Sequence, residues 1–176
     1  MTDTQAEIRR IDIPAPGRYI IDPARSSVTL RTRLFGLHAL SAAMYIADGQ
    51  IDLDAAVPQA AVTAAISAAS FSTDNPRRDD DIRSARFLHA DTYPELRYRA
   101  GTLSQVHSRW TLAGELTVRE VTRPVTLEID SVQAMGRGFR ARATARIDRA
   151  AFGLTRAKWM GGRIFDIELS AVADPL

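Results

Sequence analysis

Asn75 to Ser84, NPRRDDDIRS, places three consecutive aspartates among three arginines, six charges in ten residues. Clustered carboxylates are the ligands that hard cations such as Mg²⁺ and Ca²⁺ require, so a metal site is the chemistry to weigh first. The local pattern argues for a different use. Asn75 before Pro76 is a helix start: the Asn side chain caps free backbone N–H groups, and proline tolerates the first helical position. Asp79, Asp80 and Asp81 then fall early in that helix, where carboxylates interact favourably with the positive end of the helix dipole. Asp79 precedes Arg83 by four residues, the spacing of an intrahelical ion pair. Consecutive helical side chains diverge by about 100°, so three adjacent aspartates do not converge on one ion. The expectation is a short helical insertion with structural carboxylates and no metal ligands.

Other reactive combinations are missing. His38, His89 and His107 are far apart and form no zinc-type pair. The chain has no cysteine, which excludes disulfides, thiolate metal sites and a cysteine nucleophile. It contains neither a GxSxG elbow nor a glycine-rich phosphate loop. No catalytic residue, enzyme activity or cofactor is therefore expected.

The dominant pattern is alternation at period two, which sends successive side chains to opposite faces of a strand. Trp110, Leu112, Gly114, Leu116 and Val118 share one face, as do Phe139, Ala141, Ala143, Ala145 and Ile147, and Phe165, Ile167, Leu169 and Ala171. Weaker alternation marks Val28 to Leu34, Leu96 to Tyr98 and Val125 to Ile129. Ala61 to Ser70 is read as strand despite its alanines, and Gly114 as a bend or close backbone approach. Turn signals stand at Pro14 to Gly17, Asp48-Gly49, Gly101, Met135 to Gly138 and Gly161-Gly162. Many antiparallel strands with one polar face must pack on another layer or close on themselves. A closed barrel of about eight strands has room for side chains or for one small ligand. Alanines at 141, 143 and 145 on the inward face leave such room, unless bulky side chains opposite fill it.

With 176 residues, 45% hydrophobic and 25% charged, the chain has the make-up of one soluble domain with a sizeable core. Residues 1–16 are expected to be a flexible segment and 17–176 a single barrel domain. The charged amino terminus lacks the apolar run of a signal peptide, and no stretch is long and apolar enough to span a bilayer; the expected compartment is the cytoplasm. A formal charge of +2 implies no polyanionic partner. Arg137, Arg140, Arg142, Arg146 and Arg149 form a basic outer stripe with few aromatic residues beside it, so nucleic-acid binding is not expected.

Four segments along the chain carry a resemblance. Phe71 to Tyr98, FSTDNPRRDDDIRSARFLHADTYPELRY, is similar to the charged segment ending in a YP turn that marks the YceI-like family. Trp110 to Leu127, WTLAGELTVREVTRPVTL, resembles that family's LT…T.PV strand pair, and Ile147 to Leu154, IDRAAFGL, its FG turn. Tyr19 to Val28 resembles the family's opening strand. The chain departs from the pattern at Asp81 and Arg25, where the family has histidine, and at Leu88, where it has phenylalanine.

The resemblance implies a lipocalin-like up-and-down barrel with a short helical insertion, holding a polyisoprenoid such as an isoprenoid quinone, or a similar amphiphile, without catalysis. Its expected lining is Leu30, Leu34, Ile66, Tyr98, Trp110, Leu112, Leu116, Leu127, Phe139, Phe165, Ile167 and Leu169. Arg156 and Arg163 are the expected contacts for the headgroup. Carriage, storage or a stress response are the expected roles, and a homodimer is a further expectation. The alternatives are a filled barrel serving as a protein-interaction or stress module, and an enzyme acting on a lipid inside the barrel.

Overall fold

The computed structural model describes residues 10–34, 37–55, 59–156 and 162–176, and for Leu34 the backbone alone. In chain order the strands are β1 (Gly17–Ile21), β2 (Ser27–Leu34), β3 (His38–Met44), β4 (Ile46–Leu53), β5 (Ala60–Ser67), β6 (Glu95–Val106), β7 (Arg109–Val118), β8 (Val121–Met135), β9 (Gly138–Asp148) and β10 (Ile164–Pro175). One α-helix, α1 (Pro76–Arg83), joins β5 to β6. From β4 through β10 each strand pairs antiparallel with the next. β1 then pairs with both β4 and β10, which closes the ring.

The ten segments make eight staves. β1 and β2 are one course broken by the 3₁₀ turn Pro23–Arg25, and β3 and β4 are one course broken at Tyr45, with β2 pairing β3 just as β1 pairs β4. The first break stays bonded to its neighbour. Asp22 caps the turn by accepting from the Ala24 N–H at 2.9 Å. The Asp22 N–H donates to the Val172 carbonyl at 2.8 Å, and the Val172 N–H donates to Ser26 Oγ at 3.0 Å. The result is the closed, eight-stranded antiparallel barrel with one short helix that alternation and resemblance both implied.

Two expected turns lie inside strands. Asp48-Gly49 sits within β4, just past a register shift between Ile46 and Asp48. A Cβ on Gly49 would lie 2.6 Å from Ile21 Cδ1, so glycine is there because β1 packs close. Gly101 is the extra residue of a bulge in β6, between Ala100 and Thr102. Gly136, in the β8–β9 turn, does take a left-handed φ of 60°. Ala61 to Ser67 is strand as expected, but Ala68–Ser70 tightens into a 3₁₀ turn.

The registers sort the connections between two ends. The β5–β6 connection with α1, the β7–β8 turn and the β9–β10 loop share one end; the β4–β5, β6–β7 and β8–β9 connections and the segment before β1 share the other. The α1 end is filled. Phe71, Ile82, Phe87, Leu88, Val118, Phe152 and Leu154 are buried there in one apolar cluster. Each such side chain contributes roughly 2 kcal/mol of burial.

Helix α1 is capped as its sequence implies, with Asn75 Oδ1 accepting from the Arg78 N–H at 3.1 Å. Asp79 is 4% exposed, yet its partner is not Arg83. Its carboxylate accepts from the Thr73 N–H at 2.9 Å, Thr73 Oγ1 at 2.7 Å and Ser72 Oγ at 3.3 Å. Arg83 instead lies 3.6 Å from Asp80 and donates from Nε to the Phe71 carbonyl at 3.0 Å. A buried carboxylate is best satisfied by several short hydroxyl and amide donors, which the segment leading into the helix supplies. Asp81, where the family has histidine, faces Arg86 at 3.9 Å.

Candidate functional site: an apolar cavity inside the barrel

Inside the staves lies a cavity of about 460 Å³. β9 supplies the clearest reason for it. Its inward row runs Phe139, Ala141, Ala143, Ala145, Ile147, and across the β9–β10 ladder the three alanines face Ala171, Leu169 and Ile167. Methyl groups at successive inward positions leave a space that the opposite wall does not fill, and all five of these β9 residues line it. The filled-barrel alternative therefore does not describe this interior.

Of the side chains expected to surround a ligand, Leu30, Ile66, Tyr98, Trp110, Leu112, Leu116, Leu127, Phe139, Ile167 and Leu169 all line the cavity. Phe165 shares the inward face of β10 but sits at its first turn of register, opposite Ile147, and does not line the space. The Leu34 side chain lies outside the described residues. Arg156 and Arg163 do not line the cavity either: their loop is at the α1 end. Arg163 is instead bound to Asp148, with Nη2 at 2.6 Å, and this ion pair holds the Asp148 carboxyl below its ordinary range.

Polar groups in the lining are few. Tyr98 is buried, and its hydroxyl donates to the carbonyls of Leu112 at 3.3 Å and Val125 at 3.0 Å. Room for this comes from Gly114, where a Cβ would lie 2.6 Å from the Tyr98 hydroxyl and 2.5 Å from the Arg99 carbonyl. The close approach read at Gly114 is thus a notch that turns the Tyr98 hydroxyl into the wall. Burial pushes the Tyr98 phenol up to about 12. The other ionisable group in the described lining is Asp54, beside Gln59 at the β4–β5 connection.

Sequence reasoning missed the cover over this end. Residues 10–12 run parallel to the free edge of β8, beyond the point where β7 ends: the Asp12 N–H donates to the Val132 carbonyl and the Val132 N–H to the Arg10 carbonyl, both at 2.8 Å. Asp12 also accepts from the Ala134 N–H at 3.1 Å and pairs with Arg10 at 2.9 Å. Tyr19 ties down the next stretch by donating to the Ala15 carbonyl at 2.7 Å. Ile11, Ile13, Pro14 and Pro16 consequently join the lining. Their apolar types interleaved with prolines were the only signal. Residues 1–9 lie outside the described residues.

Two arginines of the outer stripe are held by neighbouring groups. Arg146 pairs with Asp166 at 3.0 Å. Arg149 donates to the Gly162 carbonyl at 3.1 Å and also to Leu154, pinning the β9–β10 loop. Among the described residues no group of His, Asp and Glu is arranged to hold a metal ion, and no helix is long and apolar enough to cross a membrane. What the interior can do chemically is remove an apolar chain from water, at roughly 25 cal/mol per Å².

Comparison with known proteins agrees with this geometry. Protein YceI of Shigella flexneri is 34% identical over 82 residues, 46% of this chain and 43% of that protein. Protein YceI of Salmonella arizonae is 33% identical over 92 residues, and the matched segment spans about half of each chain. Among solved structures, BcnA of Burkholderia cenocepacia superposes with a TM-score of 0.76 at 19% identity, covering 86% of this chain and 98% of that one. A polyisoprenoid-binding domain from Saccharophagus degradans gives 0.67 at 12% identity over 90% of this chain and 98% of that one. The YceI-like domain family matches residues 19–173, from the first barrel strand almost to the end of the last, and the chain belongs to that family.

Proposed function

We propose that this protein binds a polyisoprenoid or similar single-tailed amphiphile inside its barrel and performs no chemistry on it. The observation that carries the reading is the cavity of about 460 Å³ whose described lining is apolar apart from Asp54, Gln59 and the inward-buried Tyr98. Pockets of this size suit one small ligand, and a wall this largely apolar favours a hydrocarbon tail over a polar metabolite. The name of the Saccharophagus degradans domain supports the same class of ligand. A binding role rather than catalysis is supported by the described lining residues, among which no nucleophile stands beside a base. Carriage or storage follows from such a site, since a tail held by area alone can be taken up and released without a covalent step.

The test is mass spectrometry of an organic extract from natively purified protein, followed by titration with polyprenyl compounds. A co-purifying isoprenoid lipid at near-stoichiometric amount is expected. A protein that yields no lipid and binds none of the added compounds contradicts the reading.

A further inference from the structure

We infer that the cavity gauges tail length, taking an isoprenoid of about three to four units in one extended pass and leaving the remainder of any longer tail outside. This rests on the lipid-binding reading above and adds which members of that ligand class fit.

Both limits of the space are visible in the inward rows. On β7, Trp110, Leu112 and Leu116 line it and Val118 does not; where β9 meets β10, Ile147 lines it and the facing Phe165 does not. Val118 is buried in the cluster that fills the α1 end, together with Phe87, Leu88 and Phe152. The lining stops where those side chains occupy the bore. At the other end it runs out to Trp110 and Ile129, paired across β7 and β8, and to Val132 beside Ile11 of the strap formed by residues 10–16. A tail therefore points toward α1, with its polar end left at the strap, because an unpaired polar group in the apolar interior is costly.

The depth and the volume of the bore agree. From Trp110 to Leu116 β7 covers about 20 Å, and from Phe139 to Ile147 β9 covers about 27 Å, at about 3.4 Å per residue. Strands of a barrel tilt by about 40°, which makes the bore about 15–20 Å deep along its axis. An extended isoprene unit adds four chain carbons, about 5 Å, so this depth holds about three to four units. A methylene takes about as much room as a water molecule, about 30 Å³, so a space of about 460 Å³ holds about 15 carbons, or about three units. A bore wide enough for a doubled-back tail would hold about twice the carbons that its depth implies. This one has the width of a single pass.

Geraniol, farnesol, geranylgeraniol and solanesol carry the same hydroxyl on two, three, four and nine isoprene units. They are offered together to the full chain from an excess of cyclodextrin, and native mass spectrometry reads which of them occupies it. Each unit inside the bore buries five more apolar carbons, so farnesol and geranylgeraniol are expected to exceed geraniol by at least about tenfold. Solanesol, most of whose tail stays outside, is expected to fall below geranylgeraniol by a similar margin. Ala145→Phe puts a ring one inward position away from Ile147, near the floor, and should move the preference about one unit shorter in a protein whose cooperative melting shows that it folds. Solanesol occupancy equal to or above that of geranylgeraniol, or an unchanged preference in folded Ala145→Phe, overturns the length gauge while leaving the lipid reading intact. If none of the four binds, the lipid reading itself fails and takes this inference with it.

Discussion

The two ends of the barrel are built from the same kinds of residues and reach opposite results. At the α1 end, apolar side chains from the helix, the 3₁₀ turns and the hairpin pack into one buried cluster, and the buried carboxylate, Asp79, has three donors. Toward the other end the interior holds an apolar cavity walled in part by the three alanines of β9, and residues 10–16 cross over it. A charged cluster conspicuous in the sequence holds a helix and its entry segment together, whereas inconspicuous alanines leave the cavity open. Substitutions at one end should therefore move stability and at the other affinity, and that separation can be broken by experiment.

The largest effect is expected for Asp79→Ala. Removing a buried acceptor strands Thr73 and Ser72 and should cost about 3 kcal/mol, or a fall in melting temperature of roughly 6–12 °C. Affinity per folded molecule should hold; calorimetric melting and ligand titration of the same sample check both. A weakened affinity with unchanged melting would return the charged segment to the list of binding sites.

Tyr98 lies where the two regimes meet. Its phenol is raised to about 12 in the folded chain, against about 10 unfolded, so the protonated form is favoured by folding. The stabilisation is complete below pH 10 and is lost as pH rises through 12, by at most roughly 3 kcal/mol. Urea melts across that window should show the decline, and Tyr98→Phe should flatten this part of it. Ala143→Phe is aimed at the space itself: it should lower affinity for a polyprenyl probe by at least about tenfold, near 1.4 kcal/mol, with a smaller change in melting temperature. The smallest effect belongs to the strap. Asp12→Ala removes the bond to Ala134 and the pair with Arg10, and stopped-flow release of a bound probe should quicken a few-fold, equivalent to about 1 kcal/mol.

Much of this architecture is legible in the sequence because period-two alternation is a local property. The inward rows of β7, β9 and β10 can be read directly, and ten of the side chains expected to face a ligand do line the cavity. What could not be read depends on neighbours distant in the chain. Gly49 looks like a turn residue until Ile21 is seen against it. Asp79 has the spacing for Arg83, but Thr73 and Ser72 offer shorter and better-buried bonds. Residues 10–16 carry the charge and prolines of a loose terminus, and their partners, the unpaired edge of β8 and the Tyr19 hydroxyl, are brought to them only by the fold. The strand formed by β3 and β4 was hidden because its bend at Tyr45 and its bulge interrupt alternation twice.

The central claim is that the space inside the barrel is the binding site, and isothermal titration of geranylgeraniol into delipidated protein at several temperatures tests it most directly. The account predicts saturation at one ligand per chain, a negative heat-capacity change from buried apolar surface, and loss of most of that binding in Ala143→Phe. Binding that fails to saturate, or that survives unchanged in a folded Ala143→Phe variant, would place the ligand elsewhere and contradict the account.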